Sequence, residues 1–257
     1  MQTQKASDLL WDCWQQGRRL ASIPQDIRPG TREDGYAVQA LLEQRSEAPL
    51  FGWKIAATSV AGQKHINVTG PLAGRLLAEK VFSSGATLPF GVNHMKVAEA
   101  EFAFRMDRDL PPRAQAYTVD EVLAAVATLH PAIEVPDSRF DDFTIVGAPQ
   151  LIADNACAHQ FVLGPAATAD WRSLDLVEHK AIGTVGNLTR EGKGANVLGD
   201  PRVALAWLAN ELSSLGIPLK AGQVVTTGTC LVPLPIQPGD QITIDFGVLG
   251  GLTARMI

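Results

Sequence analysis

The stretch Val97-Ala98-Glu99-Ala100-Glu101-Phe102-Ala103-Phe104 limits what this chain can fold into more than any other segment. Its small, acidic and aromatic residues alternate with the period of a β-strand. Residues i and i+2 of a strand share a face. Glu99 and Glu101 therefore point one way, and Ala98, Ala100 and Phe102 the other. Two like charges side by side repel, and burial sharpens the conflict unless a proton or a cation neutralises it. A third acid, Glu134, sits in a second apolar run, Pro131-Ala132-Ile133-Glu134-Val135-Pro136. Three carboxylates on buried strands are the donor set of an oxygen-ligated Mg²⁺ or Mn²⁺ site. A solvated strand face carries the same Glu-x-Glu pattern, and the pattern alone does not choose between the two.

Composition narrows the classes of partner. Hydrophobic residues make up 46% of the 257 and charged residues 19%, enough to bury a sizeable core as one large domain or two unequal ones. The balance of 22 basic to 27 acidic residues contains no basic block, which excludes nucleic acid and anionic membrane as expected partners. No apolar run approaches the roughly 18 residues of a membrane span. The start, Met1 to Asp8, has no apolar signal-peptide core. Cys13, Cys157 and Cys230 are dispersed and odd in number, which speaks against a disulfide scaffold. They read as small buried hydrophobes in a reducing cytoplasm.

The first fifty residues carry helical spacing. Leu9, Leu10, Cys13, Trp14 and Leu20 predict a helix over 8–20, and Tyr36, Val38, Ala40, Leu41 and Leu42 a second one ending before Pro49. Ile23 to Gly30 reads as a linker between them. The expected organisation is a largely helical N-terminal lobe, residues 1–75, and a β-rich catalytic domain, residues 76–257. Thr118 with Glu121 forms a capping box for a helix expected to run to about Leu129. Asp200-Pro201 starts another, which stops at Gly216. Strands are expected over 102–105, 133–135, 160–163, 176–182, 224–227, 241–246 and 252–257. Helices and strands do not alternate regularly, which argues against a doubly wound parallel sheet.

Several chemistries are absent. Gly192-Lys193-Gly194 is not followed by the third glycine of a dinucleotide fingerprint, since Val197 stands there. No Walker lysine motif, Gly-x-Ser-x-Gly elbow or His-Glu-x-x-His occurs. The five histidines are scattered and define no triad. Two clusters remain. Lys54 lies inside the apolar run Gly52-Trp53-Lys54-Ile55-Ala56. A lysine is seldom buried without a partner or a task, although its stem can pack while its head reaches water. Asp137 and Arg139 follow Glu134 closely enough to support a metal ligand from behind.

Taken together these segments resemble the 2-keto-4-pentenoate hydratase and 4-oxalocrotonate decarboxylase branch of the fumarylacetoacetate hydrolase superfamily. The similarity lies in Gly52-Trp53-Lys54-Ile55 with Thr58-Ser59, in Glu99-Ala100-Glu101, and in Ile133-Glu134-Val135 with Asp137-Ser138-Arg139. Ala153-Asp154-Asn155-Ala156, Gly194 to Gly199, Trp207 to Asn210 and Lys220 to Val225 extend it over nearly the whole chain. The resemblance implies an α+β fold, with a small helical N-terminal part on a mixed β-roll catalytic domain. It implies Mg²⁺ or Mn²⁺ held by Glu99, Glu101 and Glu134. It further implies Lys54 and Asp154 as catalytic groups, and Lys54, Ser59 and Asn155 as substrate contacts.

The implied reaction is hydration of a 2-hydroxy-2,4-dienoate to a 4-hydroxy-2-oxo acid in the degradation of aromatic compounds. The implied assembly is a cytoplasmic homo-oligomer, in some cases associated with a pathway partner enzyme. Lys54 would stand beside the substrate carboxylate or its enolate. A decarboxylase of 4-oxalocrotonate-type diacids is the alternative; it needs a second cation, for which Arg75 and Arg139 are the candidates. Ala56-Ala57, Cys157 and Thr227-Gly228-Thr229 depart from the residues common in that branch and are expected to line the substrate pocket.

Overall fold

The alternating run around Glu99 becomes the central strand of the protein. The structure, a computed structural model, describes residues 2–257. The helices are α1 (Thr3–Gln16), α2 (Arg32–Ala40), α3 (Val60–His65), α4 (Val119–Leu123), α5 (Ala148–Ala153) and α6 (Pro201–Ser214). The strands are β1 (Gly52–Ala56), β2 (Leu72–Leu76), β3 (Val81–Ser83), β4 (Ala86–Leu88), β5 (Val97–Met106), β6 (Val126–Val135) and β7 (Gln160–Leu163). They continue with β8 (Lys180–Val185), β9 (Leu188–Lys193), β10 (Val224–Thr229), β11 (Leu234–Pro235), β12 (Gln241–Asp245) and β13 (Gly251–Met256). None of the described helices is long and apolar enough to cross a membrane.

Two sheets form. The larger has the order β2-β1-β10-β5-β6-β7-β3, with β11 also paired to β5. It is mixed: β1 runs parallel to β10 and β3 parallel to β7, while the other pairs are antiparallel. The smaller has the order β4-β13-β12-β8-β9. This is the expected α+β architecture with a β-roll core. The strand β1 lies within residues 1–75 and β2 runs across their end, yet both hydrogen-bond into the larger sheet.

Alternation along β5 separates two environments. Ala98, Ala100 and Phe102 are buried, and Phe102 meets Phe246, just past β12, edge to face at 4.8 Å. Burial of such side chains contributes roughly 1.5–3 kcal/mol each. The face of β5 away from the acids is thus sealed against the second sheet. A separate apolar cluster, including Leu10, Ile23, Val38, Phe140 and Ala153, ties α1, α2 and α5 together.

Three expectations are corrected. The first helix spans α1 and not 8–20, because Gly17 adopts a left-handed C-cap with φ 64°. The capping box of Thr118 and Glu121 is present, but α4 ends at Leu123. The β-branched and aliphatic residues beyond it are claimed by β5, with Val126 opposite Met106 and Leu129 opposite Phe104. The strand expected over 176–182 begins at Lys180. Asp175 Oδ1 accepts from the amides of Val177 and Glu178 and turns the chain there. The helix that starts at Asp200-Pro201 matches its expected span closely, with the Asp200 side chain accepting from Arg202 N.

Helix α1 docks through a titratable contact. Trp14 Nε1 donates to His159 Nδ1 at 2.9 Å. Burial pushes the His159 imidazole down to about 3, and the charges of Arg139, Lys80 and Arg19 push the same way. The unfolded chain therefore binds a proton below about 6.5 that the folded chain refuses until about 3. Stability from this neutral imidazole is complete above pH 6.5 and is lost as pH falls, at up to about 1.4 kcal/mol per unit. Urea melts at pH 7.5 and pH 5 should show a larger loss for the native chain than for His159→Gln. Equal losses in both would refute the assignment.

Candidate functional site

The acids converge through register. Glu99 lies directly opposite Glu134 in the β5–β6 ladder, and Glu101 follows two residues along the same face. One oxygen from each of the three carboxylates lies within 4.8 Å of the others. Glu101 and Glu134 are fully buried and Glu99 is half-buried, so the solvated-face reading fails. The β10–β5 register shifts between Thr226 and Thr229. That irregularity aims Gly228 N at Glu101 Oε2, at 2.9 Å, alongside a hydrogen bond donated by Thr226 Oγ1. Gly228 has φ 94°, and a Cβ on it would strike Thr58 Oγ1 at 2.2 Å, so only glycine serves there.

Lys54 reaches the cluster from β1. It is 3% exposed, and its Nζ lies 3.0 Å from Glu134 Oε1 while donating to Ala156 O at 3.0 Å. Gly74, opposite it on β2, leaves the room: a Cβ there would sit 2.4 Å from Asn155 O and 3.0 Å from Lys54 Cγ.

The electrostatics are unbalanced. Burial, then the charges of Glu134 and Glu99, push Glu101 well above the carboxylate range. Burial and the Glu134 charge raise Glu99 to about 7, against the pull of Lys54. Burial would lower Lys54, but the three carboxylates outweigh it and hold the ammonium above its ordinary value. One ammonium cannot neutralise three carboxylates. Glu101 Oε1 and Glu134 Oε2 are buried without a hydrogen-bond partner, an arrangement that costs free energy unless something else coordinates them. An all-oxygen donor set with residual negative charge fits a hard divalent cation.

A cavity of about 550 Å³ opens on this cluster. Lys54, Ser59 and Glu99 line it, with Ile66, Met95, Phe143 and Leu231 among its apolar walls. Ser59 caps α3 and accepts from Gly62 N at 3.0 Å. Ala56, Ala57, Cys157, Gly228 and Thr229, from the segments expected to line the pocket, do line it, whereas Thr227 is not part of the wall. Burial, first, and the Asp154 charge push the Cys157 thiol up to about 12.

Asp154 and Asn155 stand behind the wall. Asp154 accepts from Ser138 Oγ at 2.8 Å and Arg139 N at 3.0 Å, and its other oxygen is ion-paired with Arg139 Nε. Asn155 clamps β2, its Oδ1 accepting from Arg75 N at 2.6 Å and its Nδ2 donating to Arg75 O at 2.9 Å. Neither side chain lines the cavity. Arg75 is bound to Glu43 and lies over the Trp53 ring, and Arg139 is spent on Asp154 and the Trp14 ring. Neither arginine reaches the cavity wall, which removes both candidates for a second cation. Residues 155–157 all have positive φ, at 56°, 50° and 61°. Such strain persists only where surrounding contacts hold it, and here it turns Ala156 O onto Lys54. The walls from α3, Met95, Phe143 and Leu231 carry no signal in sequence beyond being apolar. Gly228 was expected on the pocket wall and not as a donor to Glu101, and Thr226 was marked only by its place in a strand of threonines interrupted by glycine.

The profile for the fumarylacetoacetate (FAA) hydrolase C-terminal domain matches residues 38–257. The chain belongs to this family. It is 33% identical over 255 residues to a 2-keto-4-pentenoate hydratase of Paraburkholderia xenovorans, covering 98% of this chain and 93% of the relative. It is 31% identical over 246 residues to a 4-oxalocrotonate decarboxylase of Pseudomonas sp. (strain CF600), covering 93% and 90%. A 4-oxalocrotonate decarboxylase from Pseudomonas putida G7, solved with magnesium and adipate, superposes with a TM-score of 0.90 at 27% identity, covering 100% of this chain and 97% of that one.

Two measurements probe the carboxylate cluster. In the metal-free protein, protons held by Glu99 and Glu101 must leave when a cation binds. Mg²⁺ or Mn²⁺ affinity by calorimetry should rise as pH increases through 7, with proton release visible as buffer-dependent heat. A flat profile would contradict the shifted carboxyls. Changes behind a ligand cost 10–100-fold in affinity, so Glu101→Gln should weaken binding by more than about 100-fold with the circular dichroism unchanged.

Proposed function

We propose that this family member is a divalent-metal-dependent hydratase. It adds water to a 2-hydroxy-2,4-dienoate of the 2-keto-4-pentenoate type and yields a 4-hydroxy-2-oxo acid, a step in aromatic-compound degradation. Glu99, Glu101 and Glu134 would hold Mg²⁺ or Mn²⁺. When bound, the cation supplies Lewis acidity toward the oxygens of the 2-oxo acid head.

The chain's own residues do the rest. Thr226 and Gly228 N fix one oxygen of Glu101 and leave the other free as a ligand. Lys54 is anchored by Glu134 and Ala156 O, and keeps its charge in a dry place where negative charge develops on the substrate head. The Ser59 hydroxyl accepts from Gly62 N and retains its own hydrogen for a substrate oxygen. Asp154 acts as a positioning residue: with Arg139 it holds the strained 155–157 segment that seats Lys54. The general base belongs among the groups lining the cavity, where Glu99 offers a carboxylate and His65 an imidazole.

One observation carries the choice of hydratase over decarboxylase. The cavity wall holds no arginine, and Lys54 is its single lysine, already committed to the acid cluster. A diacid would bring a second carboxylate against a mainly apolar wall with no arginine or free lysine to meet it, which is costly. Purified protein with Mg²⁺ and 2-hydroxypenta-2,4-dienoate should lose the dienol absorbance and give a product heavier by one water. CO₂ release from 4-oxalocrotonate without hydration of the dienoate would move the assignment to decarboxylase.

Lys54→Met should lower kcat/KM by about 100- to 1,000-fold, the scale of losing one donor to a developing oxyanion. Unchanged turnover would remove Lys54 from the chemistry. Asp154→Asn leaves Arg139 buried without a counter-charge and should cost about 3–5 kcal/mol of stability in urea melts. If Asp154 were the base, the folded fraction would instead be inactive at native stability.

A further inference from the structure

The cavity is too large and too apolar for a five-carbon acid alone. Such a substrate has about eight non-hydrogen atoms; even at the ~30 Å³ that a water molecule takes in the liquid, they claim about 240 Å³. A bound cation retaining about three waters takes on the order of 100 Å³ more. Against 550 Å³, some 200 Å³ is left over.

What surrounds the surplus is mainly apolar. The charged groups on the wall, Lys54 and Glu99, both belong to the acid cluster. Two polar side chains elsewhere on the wall already have protein partners: Asn196 Nδ2 donates to Cys230 O at 2.8 Å, and Thr229 Oγ1 to Leu231 O at 2.7 Å. His65 lies edge-on to Phe143, with ring centroids 5.9 Å apart. The remainder is Ile66, Met95, Phe143, Leu231 and their apolar neighbours, while the small Ala57, at φ 59°, keeps the wall open. A mainly apolar space prefers an apolar occupant.

The geometry points to a substrate with an extended uncharged tail: a 2-oxo or 2-hydroxydienoic acid bearing an alkyl or aryl group of about four or more carbons at its distal end. This rests on the head-group reading of the acid cluster and Lys54. The tail lies in the space bounded by Met95, Phe143, Ile66 and Leu231, and gains its affinity from burial.

Binding separates this inference from the reaction. Calorimetry on the Mg²⁺-loaded protein would compare 2-oxopentanoate, 2-oxohexanoate, 2-oxooctanoate and the charged-tail 2-oxoadipate. Each buried methylene should tighten binding about fourfold, so 2-oxooctanoate should exceed 2-oxopentanoate by about 60-fold, and 2-oxoadipate should bind at least tenfold more weakly than 2-oxohexanoate. Ala57→Leu, which narrows the wall, should reduce 2-oxooctanoate affinity at least tenfold more than 2-oxopentanoate affinity. Affinity flat or falling with chain length, or tightest for the diacid, overturns the inference. A parallel kcat/KM series on dienoates with hydrogen, butyl or phenyl at the distal carbon should favour the substituted compounds. Hydration of the unsubstituted dienoate with no gain from a tail overturns the inference and leaves the hydratase intact. A chain-length gain in binding with no water added to any dienoate does the reverse.

Discussion

Repulsion among three carboxylates on neighbouring strands is the constraint around which this protein is organised. An antiparallel ladder that sets Glu99 opposite Glu134 is unfavourable by itself. The surrounding structure offsets it only in part. Lys54 answers Glu134, and the irregular end of β10 supplies two donors to Glu101. The residue of negative charge is what equips the site for a divalent cation. A fully compensated cluster would be a more stable fold and a poorer metal site.

The second tier of the site is structural and equally charged. Arg139 and Asp154 form a buried pair whose hydrogen bonds reach Ser138 and the carbonyls of Asp137 and Asp154. The role we propose for it is mechanical. It braces three consecutive residues in left-handed backbone, from which Ala156 O meets Lys54. Asn155 extends the brace to β2, the strand that flanks Lys54 on its other side. A lysine stem alone has several rotamers; between Gly74, Ala156 and Glu134 it is confined to one place.

The convergence of the three acids was legible because strand alternation is local, and burial of acids leaves a mark in composition around them. The same holds for the capped starts at Thr118 and Asp200. Failures came where distant partners decide. The end of α4 depends on what β5 claims, and the turn at Asp175 on side-chain hydrogen bonds that outrank an apolar run. Asp154 illustrates the limit most clearly. The resemblance implies a catalytic Asp154, and only the position of Arg139, fifteen residues earlier, shows that its oxygens already have partners within the fold. The cavity wall draws on segments from α3 to Leu231 whose meeting no spacing announces.

The parallel pairing of β1 with β10 has a temporal meaning. Lys54 sits beside Thr226, so the first strand of the large sheet waits for one of the last. During synthesis, β5 and β6 can pair as soon as both have emerged, bringing the three acids together early. Neither the donors that steady Glu101 nor the parallel neighbour that seats β1 yet exists. Contacts of such sequence separation are slow to form, because the loop must close before anything is gained. The centre is therefore completed late. A nascent chain passes through an interval in which it carries its acids without the frame that orders them, and metal uptake belongs to the finished fold.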